Sequence, residues 1–164
     1  MPVTSHLAFA FLTGAFLAST EAPIIDHEPI DCSLAGKNLR ICAYVLDDGE
    51  IERTRVYFRA AGREAFYWTR MLFDGIQFCA TLPVAKSVVR AVEYYVWAVD
   101  DRSETTRTHP LTISLRSPCS DPAVDEDPER TQNLVVHATT EEQGDVIEEF
   151  EARGLAALVP MKKR

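Results

Sequence analysis

The sequence predicts an all-β fold of packed antiparallel sheets, on three observations. Runs of period-two alternation recur through the middle of the chain, each bounded by turn residues. Two of these runs, Leu39 to Val45 (LRICAYV) and Ile76 to Leu82 (IQFCATL), carry a cysteine at their centre, on the face opposite the apolar set. No stretch of this region sustains a 3.6-residue apolar period, so an α/β assignment has little support.

The elements follow in order. Pro29 to Leu34 reads as the first strand, closed by Ala35-Gly36-Lys37-Asn38, and Leu39 to Leu46 as the second, closed by Asp47-Asp48-Gly49. Thr54 to Ala60 is the third, and Ala61-Gly62-Arg63 turns it into Phe66 to Met71. Asp74-Gly75 is a strong turn signal before the strand at Ile76 to Leu82. Val92 to Val99 and Leu111 to Leu115 complete the set. Seven short strands within roughly 90 residues match an immunoglobulin or fibronectin type III sandwich. Parity assigns the core to Leu39, Ile41, Ala43, Val45, Val56, Phe58, Phe78, Ala80, Leu82, Tyr94, Val96, Ala98 and Ile113. A slip of one residue would expose each strand's set.

A chain of 164 residues holds one domain with flanking segments. Leu7 to Ala18 (LAFAFLTGAFLA) is too short to span a bilayer and fits the apolar part of a secretory signal, with Ala18-Ser19-Thr20 as its cleavage site. The segment before it has no Lys or Arg, only the α-amino group and His6. The competing reading is a buried first strand or helix, but paired cysteines ask for an exported chain. The expected organisation is therefore a signal peptide over residues 1–20 and a sandwich over 21–119. An acidic, proline-containing linker over 120–131 follows, then a C-terminal extension over 132–164 with one short strand, Asn133 to His137. Gly144 to Gly154 reads as a helical turn or two, and Leu155 to Pro160 as a last apolar patch. The net charge of −8 argues against nucleic acid or an anionic membrane as partner, since both need clustered Lys and Arg.

The run Arg55-Val56-Tyr57-Phe58-Arg59, then Met71, then Phe78-Cys79-Ala80-Thr81-Leu82-Pro83, then Val92-Glu93-Tyr94-Tyr95-Val96-Trp97-Ala98-Val99-Asp100 resembles bacterial extracytoplasmic Ig-like/fibronectin III-like modules. His27-Glu28-Pro29 ahead of Cys32, Ala35-Gly36, and Arg107-Thr108 look like one branch of that group. The resemblance spans His27 to Cys119 and implies the sandwich fold. Such modules serve adhesion, spacing and carbohydrate contact alike, so it implies no single function. It brings no catalytic residues. Members carry one cysteine ahead of the second strand and one after the last, which leaves Cys42 and Cys79 as extras here.

Four cysteines allow three pairings, and sandwich topology separates them. The strands holding Cys42 and Cys79 are antiparallel neighbours, and directly opposed residues approach disulfide distance. The first and last strands run parallel side by side, which puts Cys32 and Cys119 at one pole. The expected bonds are Cys32–Cys119 and Cys42–Cys79. Zinc fails as a competitor, because no two cysteines are close in sequence and no histidine accompanies them at ligand spacing.

Acidic turn residues Asp47, Asp48, Glu50, Asp74, Asp100 and Asp101 are expected at one pole. They are hard-oxygen ligands of the kind calcium takes, but Asp is also favoured in turns for its bonds to local backbone. The turn role is the expected one, and no metal or cofactor is assigned. The histidines at 6, 27, 109 and 137 are scattered, and no phosphate loop, nucleophile elbow or Cys–His pair is present.

Parity places Arg55, Tyr57 and Arg59 on the outer face of the sheet that also presents Tyr95 and Trp97, with Tyr67 or Trp68 extending the patch according to register. Arginine mixed with aromatics is the composition of protein-interface hot spots, and flat rings also stack on sugars. The alternative is that these rings pack beneath the C-terminal segment, whose Val135, Phe150, Leu155 and Leu158 need cover. The expected function is a non-catalytic binding or structural module of the cell envelope, periplasmic or secreted, contacting a protein or glycan. A carbohydrate-binding module is one alternative. Another is a small envelope enzyme using Asp47, Asp100 and Asp101 as acid and base. Oligomeric state stays open.

Overall fold

The computed structural model describes residues 21–144 and 147–162, so the leader expected over residues 1–20 lies outside the described residues. In chain order the first strands are β1 (Ile24–Asp26), β2 (Cys32–Ser33), β3 (Asn38–Leu46), β4 (Ile51–Ala60), β5 (Tyr67–Arg70), β6 (Leu72–Phe73) and β7 (Phe78–Leu82). They continue as β8 (Ala91–Asp100), β9 (Thr105–Arg107), β10 (Leu111–Leu115), β11 (Val124–Asp125), β12 (Leu134–Ala138) and β13 (Leu155–Val159). The fold is all-β in two sheets, but with thirteen strands among the described residues where seven were expected. One sheet runs β1-β3-β7-β6, with β11 also on β3. The other runs β13-β12-β5-β4-β8-β10-β2, with β9 also on β8.

Alternation explains both sheets. Along β3, Leu39, Ile41, Ala43 and Val45 are buried while Arg40, Cys42 and Tyr44 face outward. Along β4 and β8 the buried sets are Thr54, Val56, Phe58, Ala60 and Val92, Tyr94, Val96, Ala98. Of the core expected from parity only Phe78 differs: it is half-buried at the rim, with its ring 5.2 Å from Phe73. Two hairpin turns need glycine, because Gly62 and Gly75 adopt φ of 84° and 103°, where a Cβ is strained.

Both expected disulfides are present. Cys42 and Cys79 are register partners on β3 and β7, with Cα atoms 4.1 Å apart. Cys32 on β2 joins Cys119 just past β10, its parallel neighbour, at 5.9 Å. The longer bond spans 87 residues, worth about 4–5 kcal/mol in the chain-entropy account. Two such bonds fit an oxidising environment. No helix among the described residues is long and apolar enough to cross a membrane.

The expected linker over 120–131 is a correction. It forms β11 on β3 and a short helix α1 (Pro128–Thr131), capped by Asp127, whose side chain accepts from Glu129 N at 2.8 Å. Asp125 is buried at its centre. Its carboxylate accepts from Arg130 Nε and Nη2 at 3.0 and 2.9 Å, from Asp127 N at 3.1 Å and from the Thr81 hydroxyl. Burial alone would raise its pKa, but these donors outweigh that and hold it below the ordinary carboxylate value. A stretch too acidic to look like core is docked through one satisfied acid.

The C-terminal extension is also corrected: it supplies two strands, and it completes the core. β12 pairs with β5, and β13 runs parallel to β12. Ile147 and Phe150 are buried, and Phe150 meets Phe58 edge-on at 5.2 Å. Where helical turns were expected over Gly144 to Gly154, the described residues hold a bridge from Phe150 to Ala85 and no helix; a 3-10 turn at Glu141–Gln143 precedes them.

His27 ties the lead-in segment to both sheets. Its Nδ1–H donates to the Cys42 carbonyl of β3 at 2.7 Å, and its Nε2 lies 2.7 Å from the Tyr94 hydroxyl of β8. A carbonyl only accepts, so Nε2 of the neutral ring takes the Tyr94 proton as acceptor. Burial lowers the His27 pKa, and burial pushes Tyr94 up to about 12.

Candidate functional site

The outer face of the larger sheet is built from the outward positions of β4, β5 and β8, extended by β9 and β12. Register fixes who meets whom. Trp97 opposes Arg55 and Arg107, Tyr57 opposes both Tyr95 and Trp68, and Trp68 opposes His137. Arg59 opposes Glu93 and binds it at 2.6 Å. Directly opposed side chains are the contacting unit of a sheet face, so the strand order turns scattered residues into one patch.

Rings and guanidinium groups alternate across that patch. The Arg55 guanidinium lies 3.9 Å from the Trp68 ring centre and 5.1 Å from that of Trp97. His137 stacks on Trp68 at 3.7 Å with planes 6° apart. Two groups that close cannot share one ring face, so Trp68 is sandwiched between Arg55 and His137. Tyr57 and Tyr95 stack at 4.7 Å, Phe66 meets Tyr95 edge-on at 5.1 Å, and Arg59 covers Phe66 at 4.2 Å. Arg107 sits 5.6 Å from the Tyr95 ring. Burial, and then the neighbouring Tyr57, raise the Tyr95 pKa, while burial and then Arg55 lower that of His137.

Of the expected patch, Arg55, Tyr57, Arg59, Trp68, Tyr95 and Trp97 come together on this face. Tyr67 does not. It is buried beside Phe58 at 6.1 Å, because the hairpin places Trp68, and not Tyr67, opposite Tyr57. Phe66, Arg107 and His137 were not foreseen. His137 joins only because β12 adds to the β5 edge, a pairing between segments almost 70 residues apart. The signal for Arg107 was present, as an arginine shortly after the tryptophan strand. The C-terminal segment does not cover the patch: it extends the same sheet at the edge.

Near that edge, residues of β5, β6, β7, β12 and α1 line a cleft of about 530 Å³. Leu72, Phe73, Leu134 and Val135 give it apolar walls, Arg40, Asp74 and Arg130 give it charge, and His137 borders both cleft and patch. Leu72 and Phe73 are exposed, at 62% and 60%.

The acidic pole is smaller than expected. Asp47, Asp100 and Asp101 do gather, with one carboxylate oxygen of each within 4.8 Å of the others. Asp48 is held by Arg102 at 3.0 Å. Asp74 pairs with Arg40 at 3.2 Å and caps its own turn, where the Gln77 and Ile76 amides keep its pKa low. No protein-family model matches this sequence, and no curated protein matches it significantly.

Proposed function

We propose that the chain is a non-catalytic, extracytoplasmic binding module with an immunoglobulin or fibronectin III-like sandwich at its centre, and that the arginine–aromatic face contacts a protein of the cell envelope. The supporting observation is the alternation of rings and guanidinium groups on a sheet face that no other described strand overlies. The face carries Arg55, Arg59, Arg70 and Arg107, with Glu93 paired to Arg59, on a chain that is otherwise strongly acidic. Arginine and aromatic side chains that are already packed lose little freedom on binding, which is what hot-spot residues require.

A protein partner is favoured over a sugar. Stacking on a pyranose needs an open ring face, yet both faces of Trp68 are occupied and Tyr57 and Tyr95 use one face each on each other. The guanidinium nitrogens and ring edges of the patch suit carboxylates and peptide carbonyls. The disulfides and the apolar run at Leu7 to Ala18 support the envelope as the place of action.

The test is a binding screen against purified envelope proteins and cell-wall glycans, wild type against Tyr95→Ala/Trp97→Ala and Arg55→Ala. Each variant is expected to stay folded, lose protein binding at least tenfold, and show binding that weakens with salt. A folded double variant that keeps every wild-type interaction would overturn the reading. Glycan binding that survives high salt would replace it with a carbohydrate-binding one.

A further inference from the structure

The acidic pole carries an inference of its own. Asp100 ends β8 with its side chain wholly buried, at 0% exposure. Its Oδ1 accepts from the backbone amides of Arg102 at 3.0 Å and Glu104 at 2.7 Å. Its Oδ2, equally buried, has no hydrogen-bond partner among the described residues. A buried carboxylate oxygen left without a donor is costly, because nothing replaces the water it has lost. An unmet acceptor of this kind asks for a donor or cation that the described residues do not supply.

The surroundings say what kind of ligand. One carboxylate oxygen from each of Asp47, Asp100 and Asp101 lies within 4.8 Å of the others. That is the separation allowed to oxygens sharing one ion with bonds of about 2.3–2.6 Å. Nitrogen and sulfur donors are missing from the group, so a hard cation is favoured over zinc or copper. Arg102 borders the group: Asp48 holds its Nη1 through two contacts at 3.0 and 3.2 Å, while its Nη2 lies 3.6 Å from the position a Cβ of Gly49 would take. Gly49 keeps the space open. A Cβ there would stand 2.8 Å from Asp101 Oδ1 and 3.1 Å from Asp47 Oδ2.

We infer that Asp47, Asp100 and Asp101 form a calcium site, with water completing the coordination shell. Such an ion links the turn between β3 and β4, which passes from one sheet to the other, to the β8–β9 hairpin. Three carboxylates and an open shell make it a weak site, with a dissociation constant on the order of 0.1–1 mM, the range of extracellular modules.

The experiment is calorimetric titration of chelator-treated full chain with calcium chloride, with magnesium chloride in parallel and thermal unfolding in about 10 mM of each salt. One calcium site and a Tm rise of roughly 3–8 °C are expected. Asp100→Asn keeps the Oδ1 acceptor and should weaken binding about tenfold or more. Gly49→Ala tests the same site from outside the core: it should leave the fold intact and abolish binding by displacing two carboxylates. Absence of both heat and Tm shift in the wild type would sink the inference. So would wild-type affinity in either folded variant, or magnesium binding as tight as calcium.

Discussion

The two sheets finish their outer faces by different means. On the smaller sheet, β3 and β7 are joined covalently by Cys42–Cys79 and clasped ionically by Asp125, Arg130 and Arg40. On the larger sheet, β4, β5, β8 and β12 are laced by stacked rings and guanidinium groups with no covalent link. The difference tracks width. Only a few residues pair β3 with β7, too few to build a packed outer layer, whereas β4 and β8 are ten residues each and present long cross-strand rows. A narrow sheet closes its face with bonds; a wide one packs it with side chains and leaves it available for contact.

The contrast is sharpest at the disulfide. Replacing Cys42 and Cys79 together by Ala should lower stability by about 2–4 kcal/mol in denaturant titration. A loss no larger than that of one exposed ring would break the comparison.

Next comes the buried acid. Asp125→Asn should cost about 2 kcal/mol at neutral pH, since charge-assisted bonds from Arg130 become neutral ones. The sign of the pH effect follows from a folded pKa held below the ordinary 3.8. The contribution is complete above that value and is lost as pH falls through the folded value. The wild type should therefore lose stability over that acid window, and Asp125→Asn should flatten the loss.

The smallest effect belongs to the wide face. A double-mutant cycle on Arg55→Ala and Trp68→Ala should return a coupling of about 0.5–1 kcal/mol. A coupling equal to the disulfide's contribution would mean that both faces rest on comparably strong links.

Much of this was legible because a strand's side chains alternate strictly. Parity identified the buried residues of β3, Val56 and Phe58 of β4, and Tyr94, Val96 and Ala98 of β8, while sandwich topology opposed Cys42 to Cys79. It failed where register depended on a loop, so Tyr67 and Trp68 stayed interchangeable until the hairpin was known. Composition misled at 120–131, because an acidic segment reads as solvated when its acid is examined without Arg130, five residues on. The parallel pairing of β13 with β12 left no local mark, since its register is set by contacts distant in sequence. Asp100 shows the limit for sites: the sequence placed it in the acidic pole, but only burial singled out its free oxygen.

The two disulfides are nested, because Cys42 and Cys79 both lie between Cys32 and Cys119. A protease that cuts at an exposed turn such as Gly62 therefore releases nothing. The break is spanned twice, once inside the smaller sheet and once around the whole domain, and the nicked chain stays a single covalent particle. Only reduction of both bonds together with cleavage would free the pieces, so the fold is armoured against hydrolysis across its middle, and the flanks outside Cys32 and Cys119 are where a cut can detach part of the chain.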